Sequence, residues 1–229
     1  MSTTSELRLA RRRLTLIGSL GVAFLVLCLA VARSTTDGLD ASTRQVFRPD
    51  DVWSTNQLLL GNVVDGLAPP ITAAILLMAG LTTASRRGTL APVRLTCGLV
   101  IMAVGATIVS KAAIGRVDTH GDLGTFGGAF PSGHMVMLVV SLGGCVLLLH
   151  APSHWYHWVA VGVAAATMST SLLVLATHWF TDVVGGALLG GLVVAMASMA
   201  PSRGLSGYDS RPMTYRSAPD VPVHVEDHS

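Results

Sequence analysis

The sequence predicts an all-α protein built as a bundle of six transmembrane helices. Of its 229 residues, 51% are hydrophobic and only 12% are charged, whereas a soluble domain carries about 25% charged residues. A spanning helix needs ~20 mostly apolar residues. Six runs approach this length, at 14–32, 67–84, 95–114, 133–149, 155–177 and 183–200. They define a membrane domain over 14–200, which follows a cytoplasmic N-terminal segment over 1–13.

The parts of the chain around these runs differ in character. The first run follows a cluster of arginines, as in a signal peptide, but it is long and no clear cleavage site follows, so we predict a retained helix. The connector over 33–66 is long, and its Trp53 with the apolar run 58–60 would form an interfacial helix. The run 133–149 is short for a span. Pro, Ser, Gly and mixed charge over 201–229 predict a disordered cytoplasmic tail.

Basic residues near the helix ends predict the orientation of the bundle. With the N-terminus in the cytoplasm, ten of the 15 Lys and Arg residues fall on the inner side and five on the outer side, in agreement with the positive-inside rule. Both termini would then be cytoplasmic. We expect an integral protein of a bacterial plasma membrane. The five outer cations are Arg33, Arg44, Arg48, Lys111 and Arg116.

Composition and spacing also exclude several classes of protein. No basic cluster lies in a soluble fold, so nucleic acid is not an expected partner. The histidines of 150–157 lie beside Trp155 and Trp158 and are typical of an interface belt. The cysteines lie in apolar runs without metal or disulfide spacing, and we expect buried free thiols. They are Cys28, Cys97 and Cys145.

Four ionisable residues lie at the ends of the apolar runs, where charge is costly and therefore indicates function. The predicted topology brings them, from four different helices, to the outer end of the bundle. We therefore predict one shared site. The four residues are Lys111, His134, His178 and Asp182.

The stretch Pro131-Ser132-Gly133-His134 opens the fourth run. The first N–H groups of a helix have no partner within the helix and attract anions, phosphate above all. Gly133 lets a ligand approach the backbone, and Ser132 adds a hydroxyl donor. Lys111 and Arg116 would supply positive charge. The pattern predicts a phosphate site at this helix start.

His178 and Asp182 are four residues apart. If that stretch is helical they share a face, and the carboxylate accepts a hydrogen bond from one imidazole nitrogen. The other nitrogen is then free to act as a nucleophile, while His134 can protonate a leaving oxygen. This set suits phosphoryl transfer through a phosphohistidine, with no metal and no cofactor.

Each of these residues also has a purely structural interpretation. A serine and a glycine can cap a helix and form a turn, an aspartate can cap a helix, and cations can lie at helix ends. A histidine beside a tryptophan can be an interfacial anchor. These interpretations apply, in that order, to Ser132 with Gly133, to Asp182, to Lys111 with Arg116, and to His178. Their joint occurrence at one end of the bundle favours the functional interpretation.

Over about residues 95–200 the chain resembles the integral-membrane branch of the type 2 phosphatidic acid phosphatase superfamily. The family pattern is K-x6-R-P, then P-S-G-H, then S-R-x5-H-x3-D. Residues 131–134 match the second part completely, and His178 with Asp182 match the end of the third. Lys111, the only lysine, matches the start of the first part, and Ser171 matches the family serine.

The resemblance implies a six-helix fold and a role for each matched residue. His178 would be the nucleophile, Asp182 its partner and His134 the general acid. Lys111, Ser132, Gly133 and Ser171 would belong to the phosphate site.

Two positions depart from the family pattern. Asp118, followed by Thr119, stands where the family has Arg-Pro, and Leu172 stands where it has the second arginine. Both arginines that hold phosphate in the family are therefore missing. Many relatives carry an additional Gly-Arg pair that matches 115–116, so the resemblance implies that Arg116 partly substitutes.

These features lead to one preferred function and two alternatives. The preferred one is a metal-independent lipid phosphatase that acts on a lipid phosphate or diphosphate at the extracytoplasmic face, for example a polyprenyl carrier of cell-envelope synthesis. The alternatives are a phosphotransferase or head-group transferase on the same scaffold and a non-catalytic lipid-binding homologue. The expected partners are the lipid substrate and membrane lipids, and the oligomeric state is not predicted.

Overall fold

The computed structural model describes residues 3–49, 55–123, 126–150 and 153–199, and the side chains of 3–6 and 56 are outside the description. Within these ranges the chain forms helices and no strand, which confirms the all-α class. The helices are α1 (Thr3–Ala32), α2 (Asp37–Phe47), α3 (Thr55–Gly66), α4 (Pro69–Arg87), α5 (Ala91–Ile114), α6 (Gly133–Leu149), α7 (Trp155–Val174) and α8 (Phe180–Ala197).

Helix α6 is the centre of the bundle. It packs against α4, α5, α7 and α8, and ten of its 17 residues are buried, against five of 24 in α5. A helix surrounded by protein needs an apolar surface on every side. This central position explains why the fourth run is the most uniformly apolar, although it is shorter than the helices around it.

Two contacts fix the direction in which the helices run. Arg13 Nη1 donates to the carbonyl of Ser198 at 2.8 Å, which joins the start of α1 to the end of α8. Arg87 Nη2 donates to the carbonyl of Leu148 at 3.4 Å, which joins the ends of α4 and α6. The arginine-bearing ends therefore share one face, and the starts of α6 and α8 lie at the other. That the arginine-bearing face is cytoplasmic stays a prediction from the charge rule.

The connector over 33–66 differs from the expectation. It contains two helices, α2 and α3, and α3 belongs with α4 to an apolar stretch over Gln57–Arg87. Residues 58–60 lie in α3, and whether this helix is interfacial stays a prediction. Pro69 at the first position of α4 starts a new helix after Gly66, because proline has no N–H to donate. Trp53 lies outside the described residues.

The first helix also differs from its predicted bounds. It begins at Thr3 and therefore includes most of the segment 1–13, which was predicted to precede the first membrane helix. The predicted tail over 201–229 lies outside the described residues. The three cysteines are free and only partly buried, whereas we expected them to be buried.

Close contact between α6 and α8 depends on Gly186. A Cβ atom at this position would lie 2.7 Å from the carbonyl oxygen of Ser132 and 2.8 Å from the Cβ atom of Met135. Gly186→Ala should therefore separate the two helices and lower the free energy of unfolding by about 1–3 kcal/mol, measured by thermal unfolding in detergent. Gly98→Ala, where a Cβ atom would meet nothing within 4 Å, is the matched control. Equal stability of the two variants would contradict the prediction.

Candidate active site

The start of α6 is joined to the start of α8. Ser132 is extended and precedes the helix, and its N–H donates to the backbone carbonyl of Asp182 at 2.9 Å. The Ser132 hydroxyl is buried and has no hydrogen-bond partner among the described residues. Gly133 and His134 follow it directly and line a cavity.

This cavity, which we call the histidine cavity, has a volume of about 380 Å³ and unites residues from several helix ends. The rings of His134 and His178 have centroids 6.4 Å apart and are steeply inclined to each other. Four of the predicted site residues line the cavity, namely Lys111, Gly133, His134 and His178. The remaining wall is largely apolar and includes Val104, Ile108, Leu123, Phe126 and Met137.

Lys111 holds the glycine-rich loop that leads into α6. Its Nζ donates to the carbonyls of Gly128 at 2.5 Å and Ala129 at 3.2 Å. An ammonium group has three N–H donors, so one remains for a ligand in the histidine cavity. This geometry therefore allows the predicted contact between Lys111 and a phosphate group, which stays a prediction.

His178 and Asp182 meet where the connector from α7 joins α8. The spacing would place the pair on one face if the stretch were a continuous helix. It is not, because α7 ends at Val174 and α8 begins at Phe180. His178 Nδ1 nevertheless lies 3.5 Å from Asp182 Oδ2. This separation is longer than a good hydrogen bond, and Nδ1 is buried without another partner among the described residues.

Asp182 also stabilises the first turn of α8. Its Oδ2 accepts the N–H of Trp179 at 3.0 Å. The structural interpretation as a helix-capping residue is thus compatible with the functional one as partner of His178, because one carboxylate faces both groups, and the functional role stays a prediction.

Arg116 is not among the residues that line the histidine cavity, and its side chain bridges two buried carboxylates. Nη1 donates to Asp182 Oδ1 at 2.9 Å and to Thr181 Oγ1 at 2.6 Å, and Nη2 donates to Asp40 Oδ2 at 2.6 Å. Its side chain is 11% exposed. It lines a second cavity together with Asp37 and Trp179. The structure thus gives Arg116 carboxylate partners where the sequence predicted a phosphate.

Asp40 is a part of this arrangement that sequence reasoning missed. It lies on α2, in the connector over 33–66, where the sequence predicted no site residue. Asp40, Arg44 and Arg48 recur every fourth residue, which places them on one face of a helix. This row of charged residues on one helix face was the feature of the sequence that could have indicated a role for Asp40.

Ser171 lies in the interior of α7. Its hydroxyl donates to the carbonyl of Thr167, one turn earlier, at 2.9 Å, and the side chain is buried. It is not among the residues that line the histidine cavity. A role for Ser171 in phosphate binding stays a prediction.

Comparison with known proteins agrees with this architecture. A family model described as PAP2 superfamily matches residues 92–203. This part of the chain belongs to the PAP2 superfamily. A similar solved structure is the "first transmembrane PAP2 type phosphatidylglycerolphosphate phosphatase from Bacillus subtilis", with a TM-score of 0.68 and 19% identity, covering 87% of this chain and 98% of that one. The likeness shows a shared fold. Comparison with curated proteins gave no match.

The two departures from the PAP2 pattern have different surroundings. Leu172 is fully buried in an apolar cluster with Met135, Leu138 and Met168. Asp118 instead lines the histidine cavity, as does Asp122. Neither position supplies a cation to the cavity.

Asp118 carries a negative charge at neutral pH. Partial burial raises the pKa of its carboxyl, but the N–H groups of Asp122 and His120, which donate to Oδ1 at 2.9 and 2.8 Å, outweigh burial, and the pKa lies below its ordinary value. The histidine cavity therefore has an anion at the position where the family pattern has an arginine.

Among the described residues, no group of three or more His, Cys, Asp or Glu side chains is arranged to hold a metal ion. His150 and His157 lie close together, with ring centroids 4.1 Å apart, at the bundle end opposite the histidine cavity. Their role in an interface belt stays a prediction.

Proposed function

We propose that this protein is a lipid phosphatase that hydrolyses a lipid phosphate or diphosphate at the extracytoplasmic face of the membrane. The observation that supports this most is the joint placement of His134, His178 and Lys111 around one cavity, with Asp182 behind His178. Two imidazoles, a carboxylate and an ammonium group supply a nucleophile, a proton donor and a phosphate ligand.

The proposed reaction has two steps. In the first, Nε2 of His178 attacks phosphorus and the bond from phosphorus to the lipid oxygen breaks, while His134 gives its proton to that oxygen. In the second, water attacks the phosphorus of the phosphohistidine, His134 takes a proton from the water, and the bond from phosphorus to Nε2 breaks, so that phosphate leaves and His178 is free again. In the reaction the 3.5 Å separation between Asp182 Oδ2 and His178 Nδ1 shortens to a hydrogen bond, so that Asp182 accepts the Nδ1–H and stabilises the imidazole in the tautomer that leaves Nε2 free.

The surroundings of the cavity support a substrate with a long apolar tail. Most of the wall beside the histidines is apolar, and it lies at the end of a membrane-spanning bundle. A head group can then bind at the membrane surface while its tail stays in the hydrocarbon layer. A polyprenyl phosphate or diphosphate of cell-envelope synthesis is the substrate that we propose.

The proposal is tested by phosphate release from purified protein in detergent, with a chelator present. The panel contains polyprenyl phosphate, polyprenyl diphosphate, phosphatidic acid and phosphatidylglycerol phosphate. We expect phosphate release from a polyprenyl substrate without added metal. When the substrate carries a labelled phosphoryl group, we also expect a protein-bound phosphoryl label that is labile in acid and stable in base. No release from any member of the panel by folded protein would refute the phosphatase and leave the non-catalytic alternative.

A transferase on the same scaffold is a second candidate, and one observation favours it. Asp118 and Asp122 line the same cavity as the histidines. Their carboxylates can accept hydrogen bonds from the hydroxyl groups of an acceptor, whereas they would repel a second phosphate group. Product analysis with and without candidate acceptor alcohols distinguishes the two functions, since a transferase forms a new phosphate ester and releases little free phosphate.

A further inference from the structure

We infer that Asp40 is a positioning residue of the candidate site, which acts through Arg116 to hold the Asp182 carboxylate against His178. The inference rests on the proposed function of His178. It assigns a role to α2, a helix that lies outside residues 92–203, the part matched by the family model.

Asp40 is linked to the start of α8 by two hydrogen bonds and to Arg116 by a third. Its Oδ1 accepts the N–H of Thr181 at 2.9 Å, and its Oδ2 accepts the Thr181 hydroxyl at 2.7 Å and Arg116 Nη2 at 2.6 Å. The first N–H groups of a helix lack partners within the helix. Asp40 supplies one for α8 from a distant part of the chain and so fixes the backbone at the residue before Asp182.

The same guanidinium group reaches the side chain of Asp182. Arg116 occupies Oδ1 of that carboxylate, and the other oxygen, Oδ2, is the one that lies 3.5 Å from His178 Nδ1. Since a guanidinium is a rigid planar fork, fixing Nη2 on Asp40 also fixes the direction in which Nη1 holds Asp182. The order of contacts is therefore Asp40, Arg116, Asp182 and His178.

Charge and burial give this order its energetic basis. Both carboxylates have fully buried side chains, and Arg116 lies between them. Taking a charged group out of water is costly unless it is paired and hydrogen-bonded. Loss of the Asp40 carboxylate would leave Arg116 with Asp182 as its main partner. The Asp182 carboxylate would then shift relative to His178.

Helix α2 has its own attachments to this end of the bundle. Arg44 Nη1 donates to the carbonyl of Thr119, and Arg48 Nη1 to the carbonyl of Leu175, both at 3.0 Å. The Arg44 guanidinium also lies 5.9 Å from the ring centroid of Trp179, beside His178. These contacts do not involve Asp40, so α2 should keep its place when the carboxylate is removed.

Asp40→Asn tests the inference, because it removes the charge and nearly preserves the shape. On the best substrate of the panel we expect kcat to fall at least tenfold while KM changes less than twofold, since the residue does not touch the substrate. The matched control is Asp37→Asn, on the same helix and 3.9 Å from Arg116 but with a side chain 62% exposed. The control should stay within twofold of the wild type.

A second variant and a second measurement keep the inference testable in every case. Arg116→Lys, which removes the fork and keeps the charge, should lower kcat to a similar extent, and the double variant should be no slower than the slower single one. In ¹⁵N-histidine NMR spectra, the signal assigned by its loss in His178→Asn should move in Asp40→Asn and stay in Asp37→Asn. This measurement applies even to a protein that releases no phosphate.

The outcomes separate the two proposals. A wild-type protein without phosphate release refutes the proposed function, whereas the NMR comparison still decides the role of Asp40. An active wild type combined with unchanged kcat in Asp40→Asn, or with an unmoved His178 signal, overturns the inference alone. If Asp40→Asn does not fold, unchanged kcat in Arg116→Lys overturns it.

Discussion

Phosphate release should fall by ~10³-fold or more in His178→Asn, since removal of a catalytic nucleophile leaves only the contribution of substrate binding and of the remaining groups. Asparagine keeps the polarity and much of the size of the side chain but has no nitrogen that can attack phosphorus. The measurement is kcat on the substrate with the highest release in the panel. The protein-bound, acid-labile label should disappear in the same variant.

The matched control for this prediction is His157→Asn. His157 lies at the bundle end opposite the histidine cavity, near His150, and its substitution should leave kcat within twofold of the wild type. A His178→Asn protein that keeps more than a tenth of the wild-type rate would contradict the phosphohistidine mechanism. The label would then have to come from another residue.

Much of this fold could be predicted because its signals are local. An apolar run near the length of a bilayer marks a helix wherever that helix packs, and the structure gives a helix for each of the six runs. The placement of Lys111, His134, His178 and Asp182 at one end of the bundle follows from counting spans, since each crossing reverses the chain direction. The side of the membrane on which each helix end lies can therefore be predicted without knowing how the side chains pack.

The partners of Arg116 could not be predicted, because they depend on how distant helices pack. The sequence places this arginine near the phosphate site but contains no local signal that Asp40, 76 residues earlier, reaches the same guanidinium. The break between α3 and α4 shows a related difficulty. A connector that contains an apolar run can lie on the membrane surface or continue into a span, and the sequence of residues 58–60 alone does not distinguish the two.

Leu172→Arg should strongly destabilise the protein, although it restores the residue of the family pattern. Leu172 is fully buried among apolar side chains, including Met135, Leu138 and Met168. A buried charge without a partner lowers the free energy of unfolding by about 3–5 kcal/mol. We expect the purified variant to unfold at a markedly lower temperature in detergent, or to elute as an aggregate in size-exclusion chromatography.

Leu172→Met is the control that separates charge from shape. The two side chains have similar volumes, and such exchanges in a core usually cost less than about 1.5 kcal/mol, so this variant should unfold close to the wild-type temperature. A Leu172→Arg protein that is as stable as the wild type and has a lower KM would contradict the prediction. It would mean that the arginine side chain leaves the apolar cluster and reaches the histidine cavity. Destabilisation confined to Leu172→Arg would instead show that position 172 now belongs to the core, because the packing of α7 against α6 leaves no room there for a cation.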